Sequence, residues 1–541
     1  MKNTDRNLPP QSETEEELGQ NVREILNQKN RTETDKTGQR GKKQKPDQHA
    51  EPEKTVPDSA SHKETREEKK ARRRRTAPYV FVSYFFVLIF VMLAGYLVYF
   101  NFFLKDTVLS SPYNKRQDAQ AEYVIRGNIE SADGQVLAKT EVDGSGNETR
   151  VYPYANEYAH VVGYASNGKS GLETIANYDL LTSHYDFLDR VINEFEGKKN
   201  PGDTVVSTIK SSLQDVCYNS LGDYQGAVIV MNPKTGAIYA MVSKPDFDPN
   251  TISDNWKDIV SDKNNSVLVN RATQGLYPPG SIFKIVTALS YFRNHATFSG
   301  FSYDCTGEMT VDNYTAHCYA GEAHGQEDFT QAFANSCNCA FAQIGLDLGT
   351  EKLTETAGDL LFGKDLPSVL PYNKSRFSLA AGEDSAKLVQ TAFGQGDTLV
   401  TPYHMALLVS AIANDGVLMQ PYLIEQIKST QGVMVSETKA KKYTTLMTKT
   451  EAGQLRLLME AVVREGTARQ LSGQSYTAAG KTGSAEYVKS DGTAGTQSWF
   501  VGYSNTENPE LVVAVLAEDG GAGSETAVPI AQNIFDAYYA K

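Results

Sequence analysis

Hydrophobic and polar positions divide the 541-residue chain into three stretches. Residues 1–78 contain no Phe, Tyr or Trp and show no apolar periodicity. Such a segment cannot bury enough apolar surface to offset its chain entropy, so it is expected to be disordered. The run "PYVFVSYFFVLIFVMLAGYLVYFNFFLK" follows, uncharged from Tyr79 to Leu104. At ~1.5 Å per helical residue this run crosses a hydrocarbon core of ~30 Å with some tilt. A secretory signal has a shorter apolar run and a small-residue cleavage site. A buried core helix is the other reading, and the length and the basic flank weigh against it. From residue 105 to 204 short strand-like runs alternate with turns. "YVIRGNIESADGQVLAKT" reads as two strands joined at Ala132-Asp133-Gly134. "VYPYANEYAHVVGYASNGKSGLE" is Tyr-rich and reads as loop.

From 205 to 541 the pattern is denser. "GAVIVMNPKTGAIYAMVS" predicts a hairpin turning at Asn232-Pro233-Lys234-Thr235-Gly236. Helical periodicity runs through "SIFKIVTALSYFRNHA", "PYHMALLVSAIANDG" and "EAGQLRLLMEAVVREGTARQL". It also runs through "FTQAFANSCNCAFAQIGLDLG", with a break near Asn335 to Asn338. Strands return in "SAEYVK", "QSWFVGYS" and "LVVAVLAE", and "AVPIAQNIFDAYYA" closes the chain as a helix. Strands at both ends with helices between predict one α/β (α+β) domain whose sheet is built from both termini. The loop "EDGGAGSETA" reads as solvated surface. The expected organisation is therefore a cytoplasmic tail (1–78), a transmembrane helix (79–104), a small juxtamembrane region (105–204) and a catalytic-size domain (205–541).

Charge adds a direction. Lys69, Lys70 and Arg72 to Arg75 precede the apolar run, and mixed charges from Lys105 to Asp118 follow it. The positive-inside rule places the N-terminus in the cytoplasm and residues 105–541 outside, as a single-pass type II protein. The first 78 residues carry about +4 and the remainder about −17. That acidic remainder argues against nucleic acid as a main partner. The five cysteines are Cys217, Cys305, Cys318, Cys337 and Cys339. Cys305 and Cys318 could bridge a loop, or all could be free and buried. Their spacing fits no zinc pattern, and no metal or cofactor is expected.

Candidate chemistry starts at "YPPGSIFKIV", residues 277 to 286. Ser-x-x-Lys alone is weak, since Ser166/Lys169, Ser207/Lys210 and Ser436/Lys439 match it too. Only Ser281 follows a helix-starting turn and opens an apolar helix, where residues three apart share a face. Burial of Lys284 among Ile282, Phe283, Ile285 and Val286 would favour a neutral amine able to take the serine proton. A lysine snorkelling from the edge of a core helix is the alternative on this segment. Ser336-Cys337-Asn338 and Lys481-Thr482-Gly483 supply two further elements in suitable contexts. The other Lys-Thr-Gly copies sit in the tail (Lys36) and the hairpin turn (Lys234). Lys481 instead opens a strand, where Gly483 admits a close backbone or ligand.

"SIFK", "SCN" and "KTGSAE", in this order, resemble the signature motifs of the serine penicillin-recognising enzymes. "GAVIVMNPKTGAIYAMVSKPDFDPN", "AFGQGDTLVTPYHMALLVSAIANDGV" and "IRGNIESADGQVLA" resemble class B penicillin-binding proteins. "RVYPYANEYAHVVGY…GLE" is most similar to the penicillin-binding protein A subgroup. The resemblance covers roughly residues 79–541, leaves the tail unexplained, and implies the transpeptidase / serine β-lactamase-like fold. No glycosyltransferase domain is seen before the catalytic part. The resemblance implies a D,D-transpeptidase that cross-links peptidoglycan stem peptides ending in D-Ala-D-Ala and is acylated by β-lactams. Ser281 would be the nucleophile, Lys284 the general base, and Ser336 a proton relay. Asn338 would orient the cluster. Lys481 with Thr482, Gly483 and Ser484 would bind the terminal carboxylate. Cys337 is expected to be a packed small residue. A multi-pass glycan polymerase is the implied partner. A D,D-carboxypeptidase, a β-lactamase and a β-lactam receptor share the acylation and remain alternatives.

Overall fold

The computed structural model describes residues 65–104, 120–262, 265–380, 382–489 and 491–540. The tail up to residue 64 and the segment 105–119 lie outside the described residues. Helix α1 (Arg66–Tyr99) starts well before the apolar run, so residues 66–78, expected to be disordered, are helical. The reason is local. Thr65 and Glu68 exchange hydrogen bonds as a capping box, and the Glu, Lys, Ala and Arg that follow are strong helix formers. Its apolar stretch is long and apolar enough to cross a membrane, and it is exposed along its length.

The described residues between 120 and 540 build two large sheets, of six and five strands, beside four two-stranded ones. The first contains β1 (Ile129–Glu130), β2 (Val136–Val142), β3 (Glu148–Val151) and β4 (Thr204–Ser207). β1 and β2 pair antiparallel around the expected turn, and β1 pairs β4 in parallel. The Tyr-rich segment expected as loop instead forms short helical turns, Ala155–Tyr158, Ala159–Val162 and Gly171–Ile175. They fold because Tyr158, Val161, Val162 and Leu172 are buried against the sheet region. Glu173 is fully buried there between two guanidiniums. Arg126 Nε lies 2.6 Å from one carboxylate oxygen and Arg150 Nε 2.7 Å from the other.

The second sheet is five-stranded. β5 (Gly226–Met231) and β6 (Ile238–Lys244) form the expected hairpin. Three strands from the far end of the chain join it. Every residue of β5 is buried, because helices cover both faces of the sheet. α2 (Ser211–Leu221) packs on the side of the closing helix. α3 (Lys284–His295), α4 (Phe329–Ala334), α5 (Asn338–Asp359) and α6 (Ser385–Ala392) assemble the helical part. The expected break near Asn335 to Asn338 falls between α4 and α5. α7 (Pro402–Ala413) is buried along its whole length. Thr401 caps it, accepting a hydrogen bond from the His404 N–H, and Pro402 fills its first turn.

After α7 the chain returns to the first sheet. β7 (Ile424–Lys428) pairs with β4, and β8 (Met434–Glu437) adds outside it. A boundary at residue 204 therefore cuts the sheet: β4 straddles it and a late hairpin completes the layer. Helix α8 (Lys449–Arg464) follows, capped reciprocally by Thr448 and Glu451. Then come β9 (Ala478–Val488), β10 (Ala494–Ser504), β11 (Leu511–Ala517) and α9 (Ala527–Tyr539). The sheet order is β9-β10-β11-β5-β6, antiparallel throughout, so both ends of the domain do meet, at β11 and β5.

Candidate active site

The nucleophile candidate sits on a turn that has little freedom. Gly280 to Phe283 form a 3-10 turn leading straight into α3, so Ser281 precedes the α-helix rather than opening it. Gly280 holds φ at +54°, and a Cβ there would lie 2.7 Å from the Ser484 carbonyl oxygen. A Cβ on Gly483 would meet the Pro279 carbonyl oxygen at 3.0 Å. The backbone of the Ser281 turn thus lies directly against β9, as the small residue at 483 led one to expect. Trp499 fastens the same turn, its indole N–H donating to the Pro278 carbonyl at 3.0 Å. Lys481 is interior to β9, which begins at Ala478, rather than opening the strand.

The two lysines are fully buried, so Lys284 does not snorkel. Lys284 Nζ donates to the Ser336 carbonyl at 2.6 Å and to Asn338 Oδ1 at 2.8 Å, and lies 3.2 Å from Ser336 Oγ. Lys481 Nζ reaches the same Ser336 Oγ at 2.9 Å. Ser336 links α4 to α5 with φ at +60°, a conformation that turns its carbonyl toward Lys284. Asn338 is held from behind, donating from Nδ2 to the His317 carbonyl at 2.8 Å. Among the described residues no hydrogen bond joins Ser281 Oγ to Lys284, although Ser281, Ser336, Asn338, Thr482, Gly483 and Ser484 line one cleft of about 850 Å³.

Electrostatics follow from burial. Desolvation brings the Lys284 ammonium down to about 8, with Cys337, Cys318, Cys339 and Glu327 pulling in the opposite direction. Lys481 is pushed well below the usual lysine range, by burial first and by Lys284 second. Two ammoniums cannot comfortably share one hydroxyl, so the charge on Lys284 weakens Lys481's hold on its proton. A neutral Lys284 has two N–H groups for the two carbonyl-type oxygens it touches, which leaves its lone pair for a hydroxyl.

Some cleft residues carried no motif. Thr467 follows α8, and its hydroxyl lies 2.6 Å from that of Thr482. The only local signal is the small-residue turn Gly466-Thr467 after a long helix. The loop 518–527, expected to be solvated, packs on β9. Gly523 N–H donates to Ser484 Oγ at 3.1 Å, and Ala522 and Ser524 line the cleft. Cys337 is buried and caps α5, its sulfur accepting from the Ala340 N–H at 3.4 Å. All five cysteines are free and buried.

A hydroxyl on a helix-starting turn, two buried lysines and an amide around one cleft are the groups needed by an enzyme that transfers acyl groups through a serine ester. The penicillin binding protein transpeptidase domain family matches residues 226–536, and the penicillin binding protein A dimerisation domain family matches residues 126–205. The peptidoglycan D,D-transpeptidase PbpA of Mycolicibacterium smegmatis is 32% identical over 82% of this chain and 95% of that protein. Among solved structures, a ceftriaxone acyl-enzyme complex of penicillin-binding protein A from M. tuberculosis is similar with a TM-score of 0.70 at 28% identity, covering 78% of this chain and 100% of that one. A D,D-transpeptidase domain from Eggerthella lenta gives 0.69 at 31% identity over 77% and 98%. The chain belongs to the penicillin-binding protein transpeptidase family.

Proposed function

We propose that the protein is a membrane-anchored peptidoglycan D,D-transpeptidase working through an acyl-enzyme on Ser281. The observation that carries this reading is the meeting of Ser281, Lys284, Ser336, Asn338 and the 481–484 strand around one cleft. Ser281 Oγ attacks the carbonyl between the last two D-Ala residues of a stem peptide. Its proton passes to neutral Lys284. The C–N bond breaks, and the leaving D-Ala amine receives a proton through Ser336 Oγ, which both lysines reach. An amine of a second stem peptide then attacks the Ser281 ester, releasing Ser281 and forming the cross-link. The backbone N–H groups of Ser281 and Ser484 stabilise the developing oxyanion, one in the 3-10 turn that leads into α3 and one on an edge strand.

The substrate itself sets the protonation pattern. A carboxylate arriving beside Thr482 and Ser484 draws the shared proton toward Lys481 and leaves Lys284 as the base. A β-lactam carries the same carboxylate and acylates the same serine. The basic residues before the apolar part of α1 support an N-terminus in the cytoplasm and residues 105–541 outside. A multi-pass glycan polymerase is the partner we assign, because a cross-linker needs nascent strands.

Intact mass of the full chain in detergent, incubated with a β-lactam beside Ser281→Ala, tests the reading. One stable adduct, lost in the variant, is the expected result. An adduct that persists in Ser281→Ala removes the proposed nucleophile. Rapid return to the unmodified mass with consumed drug reassigns the protein as a hydrolase.

A further inference from the structure

The cysteines that fit no zinc spacing in the sequence converge in space. Cys305 ends a strand, Ser302–Cys305, and Cys318 follows another, Tyr314–His317. His324 precedes a third, Gly325–Asp328, and Cys337 caps α5. The three Sγ atoms and one imidazole nitrogen all lie within 4.8 Å of one another. Cys318 Sγ is 3.6 Å from Cys305 Sγ and 3.8 Å from Cys337 Sγ, and Cys305 Sγ is 3.5 Å from His324 Nδ1.

Those separations have a chemical meaning. A tetrahedral zinc ion with Zn–S near 2.3 Å and Zn–N near 2.0–2.1 Å has S···S edges of about 3.8 Å and S···N edges of about 3.6 Å. A disulfide needs about 2.05 Å, and nothing in a single S–S bond accounts for four converging groups. The surroundings suit thiolates as well. The Ala340 N–H at the start of α5 points at Cys337 Sγ, and Cys339 Sγ lies 3.5 Å from Cys318 Sγ, accepting from its thiol. Cys339 also faces the Ala316 carbonyl at 3.9 Å, which engages its thiol as a donor rather than a ligand.

We propose that Cys305, Cys318, His324 and Cys337 bind one structural zinc ion in the wall of the catalytic cleft. Binding displaces three thiol protons to solvent and leaves no open coordination position, so the ion takes no chemical step. Its role is positional. It joins the four short strands between Ser302 and Asp328 to the first turn of α5, where Ser336 and Asn338 flank Cys337. Cys318 and His324 themselves line the cleft beside them. The ion therefore holds the second catalytic element against Lys284 in a segment built from short strands with few ladder bonds of their own.

The test is metal content of the full chain purified in detergent without chelator, with Cys305→Ser/Cys318→Ser and Cys217→Ser beside it. The expected result is about one zinc per chain in the wild type and in Cys217→Ser, falling at least five-fold in the double variant. Cobalt(II) exchanged into the wild type gives thiolate-to-metal charge-transfer absorption and the intense visible bands of a tetrahedral site. That reading is independent of whether the double variant folds. Chelation of the wild type slows β-lactam acylation at least ten-fold, and added zinc restores it. A wild type without metal, with five free thiols or with a mass two lower from a Cys305–Cys318 bridge, overturns the proposal. So does zinc retained by a folded double variant, or a cobalt spectrum without thiolate bands. None of the metal readings depends on whether Ser281 is acylated.

Discussion

Two buried charge clusters in this protein are built on opposite rules. Near the first sheet, Glu173 sits between Arg126 and Arg150. Tyr152 donates to the same carboxylate at 3.2 Å, and Arg126 also reaches Asn177 Oδ1 and the Glu173 carbonyl at 2.6 Å. In the cleft, Lys284 and Lys481 face one serine hydroxyl, backed by the rings of Phe341 and Phe333. Opposite charges with their hydrogen bonds filled fix a geometry. Like charges in one dry site cannot all stay ionised, so their proton count becomes adjustable. The first arrangement is an anchor and the second a base.

The comparison breaks most clearly by removing one member from each cluster. Lys284→Met should slow β-lactam acylation by about 10²–10⁴-fold, the usual weight of a general base, with no fall in Tm. Stopped acylation kinetics and a thermal melt check both halves. A fall in Tm would mean that the lysine pair also anchors the fold. Glu173→Gln should instead cost about 3–5 kcal/mol of stability, because two guanidiniums lose their shared partner. Its remaining folded fraction should acylate at the wild-type rate, measured by denaturant titration beside adduct formation.

pH separates the clusters next. Acylation should rise as pH increases through about 8, where Lys284 loses its proton. Because that value lies below the ordinary lysine value of 10.5, burying this ammonium costs stability at low pH, and the cost is relieved between about 8 and 10.5. Glu173 runs the other way. Burial alone would raise it, but Arg150 and Arg126 outweigh burial and hold it below its ordinary 4.5. Its stabilisation is present above that ordinary value and is lost as pH falls through the lowered one. Rate and melting temperature across pH 3–10 check both signs. The smallest effect is at the cleft margin. Thr467→Ala removes one hydroxyl pair to Thr482 and should slow acylation about five-fold, about 1 kcal/mol.

What the chain discloses locally differs from what it discloses only when folded. Ser281-Lys284, Ser336-Asn338 and Lys481-Gly483 are each short, and each sits where a turn or strand shows in the hydrophobic pattern. Glu173 ends the Tyr-rich stretch and carries no motif. Its partners Arg126 and Arg150 lie on separate elements, so nothing in the spacing pairs them. The Cys305, Cys318, His324 and Cys337 group is hidden for the same reason, since four elements contribute one ligand atom each. The loop at 518–527 has the composition of solvated surface, and only its contact with Gly483 and Ser484 reveals its place in the cleft. Residues 66–78 share the composition of the tail, but the start of the helix is decided locally by Thr65 and Glu68.

The hairpin of β7 and β8 has a consequence for how such chains recombine. The family matches suggest two exchangeable modules meeting between residues 205 and 226. Yet the first sheet is closed by Ile424–Lys428 and Met434–Glu437, carried in the middle of the second module. A chimera joined at that seam would pair one parent's β4 with the other parent's β7. Gene shuffling between relatives should therefore yield folded hybrids only when this late hairpin travels with the front of the chain, which ties the inheritance of the two halves together.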